Sequence, residues 1–196
     1  MSELSKLTIK VPIGLLEITA TDEAIVGVKP ANHRENVEAN DLAQKCKTEL
    51  EEYFAGKRKN FDLPLADEGT DFQKQVWEQL QRIPYGQTRT YGEIAKMMGK
   101  PKASRAIGMA NHNNPILILV PCHRVIGADG SLTGYVAGIE AKKYLLEFEK
   151  KNMEVYKQEL LKLLIIKTRP NANDCQSIFL IHIDVIFHGG FFFNFL

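Results

Sequence analysis

Cys122, His123 and Arg124 stand consecutively in "LVPCHRVIGADGSLTGY" (119–135), directly after an apolar run that ends at Pro121. A thiol attacks as its thiolate, and a free cysteine with a pKa of about 8.5 supplies only a few per cent of it at neutral pH. An imidazole can raise that supply when its second nitrogen is held by a third group. The same letters also suit a small buried residue followed by two surface polar residues. A carboxylate further along bears on the choice. In "IEAKKYLLEFEKKN" (139–152), a helix turning about 100° per residue places Leu146 about 100° from Leu145, Phe148 about 60° to the other side, and Glu149 about 40° away. Glu149 therefore projects from the middle of an apolar arc, whereas Glu147, Lys143 and Lys151 lie on the far side. A buried carboxylate needs a partner, because burying an unpaired charge is costly. His123 is the candidate, and a nearby lysine or a frayed helix end is the bland alternative. Cys122, His123 and Glu149 as nucleophile, base and orienter fit a cysteine hydrolase or transferase, with a water bridging Cys122 and His123 if the adjacent side chains diverge.

The rest of the chain must position these groups. Its 196 residues, 44% hydrophobic and 25% charged, suit one large soluble domain or two small ones. Residues 7–30 are rich in β-branched types, and with turns at Pro12-Ile13-Gly14 and near Asp22 they predict two or three antiparallel strands. Residues 35–56 predict a helix with Leu42, Cys46, Leu50 and Phe54 along one stripe and Gly56 as its stop. Cys46 on that stripe reads as core packing. "KRKNFDLPLADEGTD" (57–71) predicts a short strand and a linker, with a boundary near residue 70.

"TDFQKQVWEQLQRI" (70–83) predicts an amphipathic helix with Phe72, Val76, Leu80 and Ile83 on one face, capped by Thr70 or Asp71. After the turn "PYGQ", Thr90 and Glu93 form a capping box. Gly99 ends that helix, and Pro101 is placed to begin the next, "PKASRAIGMANH". Two short helices joined so tightly predict a helix-turn-helix, although an ordinary packed pair is commoner. "PILILV" (115–120) predicts a buried strand or extended core segment, and "GADGSLTG" a loop.

Charge is unevenly spread. Residues 1–71 carry 9 Lys/Arg against 14 Asp/Glu, a net −5, and residues 72–151 carry 12 against 6, a net +6. A basic middle suits an anionic partner such as nucleic acid, or is chance variation in surface charge. The first residues contain no apolar signal-peptide core. Cys46, Cys122 and Cys175 are too scattered for a disulfide framework or zinc motif, so a reducing cytoplasm with free thiols is expected.

"NPILILVPCHRVIGADGSLTGY", with "FQKQVWEQLQRIPYGQTRTYGEIAKMMGKPKASRAIGMANHNN" before it and "TGYVAGIEAKKYLLEFE" closing it, resembles the O6-alkylguanine-DNA alkyltransferases continuously over residues 72–150. The front part resembles that family's variable domain in layout alone. The resemblance implies an α+β protein: a small N-terminal α/β, ribonuclease-H-like domain over 1–70, then a mainly helical domain with a helix-turn-helix over 71–151. It implies single-turnover, irreversible transfer of an alkyl group from guanine O6 in DNA to Cys122, with O4-alkylthymine a second candidate lesion. His123 acts as base through a water and Glu149 orients it. Asn114 braces the turn that carries the cysteine, and Tyr135 donates a hydrogen bond or proton at guanine N3. Main-chain groups around Cys122, Val125 and Val136 read the base edges. Arg105 fills the gap left by a flipped nucleotide, Tyr91, beside Thr90, presses on its 3′ phosphate, and the small residues Ala103, Ser104 and Ala110 allow approach to the minor groove. The partner implied is double-stranded DNA, bound by a monomer, with no membrane, metal or cofactor. The compartment implied is the cytoplasm, with nucleoid association in a bacterium, or the nucleus in a eukaryote.

Two departures bear on this. The family loop Gly-Tyr-x-Gly-Gly reads "GYVAG" here, and Ala137 resists the positive φ that glycine accepts, so rate or tolerance of bulky alkyl groups is expected to differ. Some family members hold structural zinc in the front domain; only Cys46 and His33 are available here, so no such site is expected. Residues 152–196 form a non-family extension, with "NMEVYKQELLKLLIIK" extending or following the last helix. It ends in a phenylalanine-rich stretch interrupted by His182, Asp184 and His188, without the apolar length of a membrane span. Two rivals remain. An alkyltransferase-like lesion binder lacks the cysteine that this chain keeps, and a cysteine hydrolase leaves the helix-turn-helix and Arg105 without a purpose.

Overall fold

The computed structural model describes residues 4–34, 39–66 and 68–167. An antiparallel meander opens the chain: β1 (Ser5–Val11), β2 (Gly14–Ala20) and β3 (Ile25–Ala31), in the order β1-β2-β3. Ser5, Leu7, Ile9 and Val11 are buried while the residues between them are more exposed, the period-two pattern of a sheet with one covered face. Gly14, at φ 118°, closes the β1–β2 turn in a backbone conformation that side chains disfavour. Helix α1 (Asp41–Phe54) packs on β1 and β2 and is capped by Asn40, whose side chain accepts from the Ala43 N–H at 2.9 Å.

The helix expected over 35–56 is thus shorter, and residues 35–38 lie outside the described residues. Its buried stripe also differs: Ala43, Cys46, Glu49, Leu50 and Tyr53 face inward, while Leu42 and Phe54 are partly exposed. Steps of four drift about 40° each around a helix of 3.6 residues per turn, so alternating steps of three and four keep to one face. The strand expected in 57–71 reduces to one bridge, Ile25 to Leu65. Pro64 has no N–H to continue a ladder; its carbonyl accepts from Ile25 N–H at 2.8 Å.

Helix α2 (Asp71–Gln81) starts at a Thr70–Gln73 capping box and α3 (Tyr91–Met97) at the expected Thr90–Glu93 box. Gly99, at φ 67°, follows α3. Pro101 does not open the next helix. It sits second in a turn closed by Ala103 N–H on the Lys100 carbonyl at 2.9 Å, a position its fixed φ favours. Helix α4 begins at Ser104 and runs to His112. Residues 115–120 are a turn, buried from Ile116 on, and neither a strand nor an extended segment: Val120 N–H donates back to the Ile116 carbonyl at 3.0 Å. Leu117 N–H donates to Val28 O and Val28 N–H to Pro115 O, both at 3.0 Å, which ties the segment to the front sheet. Among the described residues, Ile118 is the one non-glycine with positive φ, at 73°.

A 3₁₀ turn (Cys122–Arg124) leads into β5 (Val125–Ile126), which pairs in parallel with β4 (Arg89–Thr90). Helix α5 (Ile139–Lys167) follows the loop. The chain divides into a compact unit through Tyr156 and a second from Lys157 onward. Within the first, Asn152 donates to the Tyr85 hydroxyl at 3.2 Å and Met153 packs on the core. Cys175, His182, Asp184 and His188 lie outside the described residues. Among those described, no helix is long and apolar enough to cross a membrane.

Candidate active site

Glu149 is 0% exposed and sits where the helical arc of α5 aims it. Its Oε1 accepts from Tyr53 hydroxyl at 2.8 Å, Arg124 Nη2 at 2.8 Å and His123 Nε2 at 3.0 Å. Its Oε2 accepts from Arg124 Nε and the Gly86 N–H, both at 2.9 Å. The third guanidinium nitrogen, Nη1, donates to Ile83 O at 2.7 Å. Burial alone would raise the carboxyl pKa, but the hydrogen bonds from His123 and Arg124 and the charge of Arg124 outweigh it and bring Glu149 down to about 2.

An ionised carboxylate only accepts, so the hydrogen between His123 and Glu149 resides on Nε2. The lone pair of the neutral ring is then on Nδ1, which is buried and has no hydrogen-bond partner among the described residues. Burial lowers the His123 pKa against the opposing pull of Glu149, so the ring is neutral at pH 7. Arg124 is therefore the standing counter-charge of Glu149. The geometry makes the third of the consecutive polar residues the clamp on the carboxylate.

Asn114 ties the cysteine turn together. Its Nδ2 lies 2.9 Å from Val120 O and 3.1 Å from Cys122 Sγ, and its Oδ1 accepts from Ile116 N–H at 3.0 Å. Burial pushes the Cys122 thiol up to about 11, against the lowering effect of the Asn114 contact. A nucleophile so placed needs a base delivered to it. The Tyr135 ring stands edge-on to His123 at 6.4 Å, and its buried hydroxyl has no hydrogen-bond partner among the described residues. Burial, with the charges of Cys122 and Glu149, holds that hydroxyl's pKa well above the usual tyrosine range, so it keeps its proton. Cys46, fully buried and pushed up to about 12 by burial and by Glu49, remains a packing residue.

Sequence reasoning missed Lys142. It is 1% exposed, and its ammonium donates to Thr133 O at 2.9 Å, fastening the loop that carries Tyr135 onto α5. Burial lowers its pKa while the neighbouring Cys122 opposes the shift. The helical arc that singled out Glu149 puts Lys142 only about 20° from it, a signal that was there to be used. Tyr53 and the Gly86 N–H were also missed.

On the helix-turn-helix face, Arg105 is exposed on α4. Tyr91 accepts from Thr133 Oγ1 at 3.1 Å and lines a cavity of about 250 Å³ with Ser104, Gly108, His112, Thr133 and Gly134. Thr90 spends its side-chain oxygen on the α3 cap. Ala103 is the residue before α4. Ala110 is a correction: it is 2% exposed and faces the core, where its carbonyl accepts from Trp77 Nε1 at 2.9 Å, so it is not part of a DNA-facing small surface. Val125 is buried, with its N–H on the Cys122 carbonyl, whereas Val136 is exposed. Ala137 avoids positive φ, which falls on Gly138 at 89°. The glycine expected at 137 is not required by this loop. Ala137→Gly should therefore lose about 0.4–1 kcal/mol of stability and leave the reaction rate unchanged, as thermal melting and single-turnover kinetics would register.

A buried thiol beside an imidazole of fixed tautomer, next to a helix-turn-helix on an α+β frame, defines a helix-turn-helix protein that carries a cysteine nucleophile. Residues 5–66 match the ribonuclease-like domain of 6-O-methylguanine DNA methyltransferase, and residues 71–151 match its DNA-binding domain. The chain is 50% identical over 145 residues to a methylated-DNA–protein-cysteine methyltransferase of Methanosarcina acetivorans, a match spanning 70% of this chain and 93% of that one. It is 43% identical over 155 residues to the constitutive enzyme of that name from Bacillus subtilis, spanning 73% and 93%. Among solved structures, the Mycobacterium tuberculosis O6-methylguanine methyltransferase superposes with a TM-score of 0.70 at 43% identity, covering 76% of this chain and 94% of that one. The M. tuberculosis OGT in complex with DNA superposes at 0.68 with 45% identity, covering 74% and 92%. This chain belongs to the 6-O-methylguanine DNA methyltransferase family.

Proposed function

We propose that this protein repairs DNA by moving an alkyl group from guanine O6 to its own Cys122, once per molecule. One observation carries the reading: His123 offers a buried, unpartnered Nδ1 beside the cysteine turn while Glu149 fixes Nε2. A water carries the Cys122 proton to Nδ1. The thiolate attacks the alkyl carbon, an S–C bond forms, and the C–O6 bond breaks with its electrons passing to the guanine. Tyr135, with its proton retained, hydrogen-bonds N3 as that charge develops, and the proton taken from the thiol returns to the base as neutral guanine leaves. Stabilising the leaving group during displacement is where such a donor contributes most. The main chain at Cys122, Val125 and Val136 reads the base.

The target O6 lies inside the duplex stack, so the nucleotide must flip out. In this reading α4 enters the minor groove, Arg105 occupies the vacated space, and Tyr91 presses on the backbone, with Thr90, Ala103 and Ser104 alongside. Residues 1–70 and 71–151 act as a front domain and an alkyl-acceptor domain, with 152–196 outside both roles. In this reading the protein acts as a monomer, and an unpaired thiol fits the reducing cytoplasm.

The test is incubation with an equimolar duplex that contains O6-methylguanine. Transfer should stop at one equivalent, with one methyl on Cys122 by peptide mass; turnover beyond one equivalent, or an unmodified cysteine, would exclude this reading. Arg105→Ala should slow repair of duplex by roughly tenfold or more, since flipping requires a few kcal/mol of unstacking. Repair of the same lesion in a single strand should change little, and an equal loss on both substrates would remove Arg105 from the flipping role.

A further inference from the structure

Asn111 is a buried carboxamide, 5% exposed, and neither its Nδ2 nor its Oδ1 has a hydrogen-bond partner among the described residues. Native interiors seldom keep such groups, because an unmade buried hydrogen bond is expensive. Where both atoms of one amide are idle, a ligand is a natural occupant. Its position on α4 supports this. At about 100° per residue, Asn111 lies about 20° from Ser104, with core residue Ile107 on one side and Gly108 on the other. Ser104 and Gly108 line the cavity whose opposite wall is Thr133–Gly134, immediately before Tyr135. The Tyr135 hydroxyl is likewise buried and unpartnered. Two elements that flank the cavity thus hold idle polar atoms, and the proposed mechanism uses those of Tyr135 alone.

We propose, resting on the repair reading above, that Asn111 is a specificity-determining residue whose amide pairs with the N1–N2 edge of the flipped O6-alkylguanine. Alkylation at O6 removes the hydrogen from N1, which leaves an acceptor at N1 beside the amino donor at N2. A carboxamide presents the complementary donor and acceptor side by side, and the match occupies both idle atoms. The O6–N7 edge offers acceptors only and would leave Oδ1 unpaired. O4-alkylthymine offers acceptors at N3 and O2 and no donor, so Asn111 favours the purine lesion.

The experiment is a cycle between protein and substrate. Wild type and Asn111→Leu are each reacted in single turnover with duplexes that carry O6-methylguanine or O6-methylhypoxanthine, which lacks the 2-amino group, and with O4-methylthymine. Asn111→Leu should lose about tenfold on O6-methylguanine, the scale of a bidentate amide–base contact. It should lose several-fold less on O6-methylhypoxanthine and least on O4-methylthymine. Its thermal midpoint should hold or rise, since an idle buried amide gives way to an apolar group of similar size. Asn111→Ala, run in parallel, supplies the cycle if the leucine does not fold. Equal losses on the two purines, or no loss on either, overturn the proposal while the methylated Cys122 still upholds repair. A folded Asn111→Leu with a lower midpoint would mean that the amide has structural partners, and would also overturn it. A wild type that gains no methyl on Cys122 would overturn the repair reading itself.

Discussion

Glu149→Ala should cost about 3–5 kcal/mol of folding stability, the usual penalty for breaking a buried ion pair from one side, and should slow transfer in whatever protein remains folded, by no more than the loss of His123 itself. The carboxylate gathers hydrogen bonds from Tyr53, Gly86, His123 and Arg124. Its removal leaves Arg124 buried with one bond of its fork, to the Ile83 carbonyl. It also frees the imidazole to adopt the other tautomer. For a domain whose total stability is about 5–15 kcal/mol, that loss consumes a large share. Denaturant unfolding at constant m-value measures it, and a loss under about 1 kcal/mol would mean that Arg124 finds water in the folded protein. Glu149→Leu combined with Arg124→Met should recover part of the loss, because the penalty lies mainly in the orphaned charge. Acid should reproduce the effect. The folded-state pKa of Glu149 is depressed to about 2, so its contribution is complete above about 4.5 and disappears as pH falls toward 2. His123, whose pKa is lowered by burial, adds to the acid side: the unfolded chain binds its proton more readily below about 6.5.

The legible part of this site was the part that periodicity addresses. The arc of α5 exposed Glu149 as a carboxylate on an apolar face, and adjacency placed Cys122 and His123 on one turn. Lys142 was equally legible on the same arc. Tyr53 was not: it reaches Glu149 across 96 positions of sequence, and a tyrosine on the inner face of a helix reads as packing until its hydroxyl has a destination. Gly86 acts through its N–H, which no residue type announces. The reversed backbone at Ile118 contradicts local preference; Leu117 before it is held by the Val28 carbonyl, and Val120 after it by the Asn114 side chain. Ala110 shows the opposite error. Small residues on a recognition helix suggest close approach to a ligand, but the one that packs against Trp77 serves the core. The family resemblance supplied the roles of Arg105 and Asn114, which neither charge nor spacing could have assigned.

His123→Ala should slow transfer by roughly 10²–10⁴ at neutral pH, the range that general-base catalysis supplies, and should change the shape of the pH profile as well as its height. In the proposed mechanism the proton leaving Cys122 passes within the site to His123, so thiol–imidazole and thiolate–imidazolium differ by no net proton. The rate should then stay nearly level from about pH 7 to pH 9, although the thiol's own pKa is pushed up to about 11. Simple loss of the thiol proton to solvent would instead raise the rate about tenfold per pH unit over that span. The acid limb has a definite side. Burial lowers the His123 pKa, so Nδ1 takes a solvent proton only below the ordinary value of about 6.5, and the rate should fall there. In His123→Ala the internal acceptor is gone, and the profile should turn into a line of unit slope that climbs toward the thiol pKa. The measurement is single-turnover transfer across pH with both proteins, and folding is confirmed at each pH by circular dichroism. A wild-type rate that already climbs tenfold per unit between pH 7 and 9 would remove His123 as the base, and Glu149 and Arg124 would then be structural supports of the turn alone.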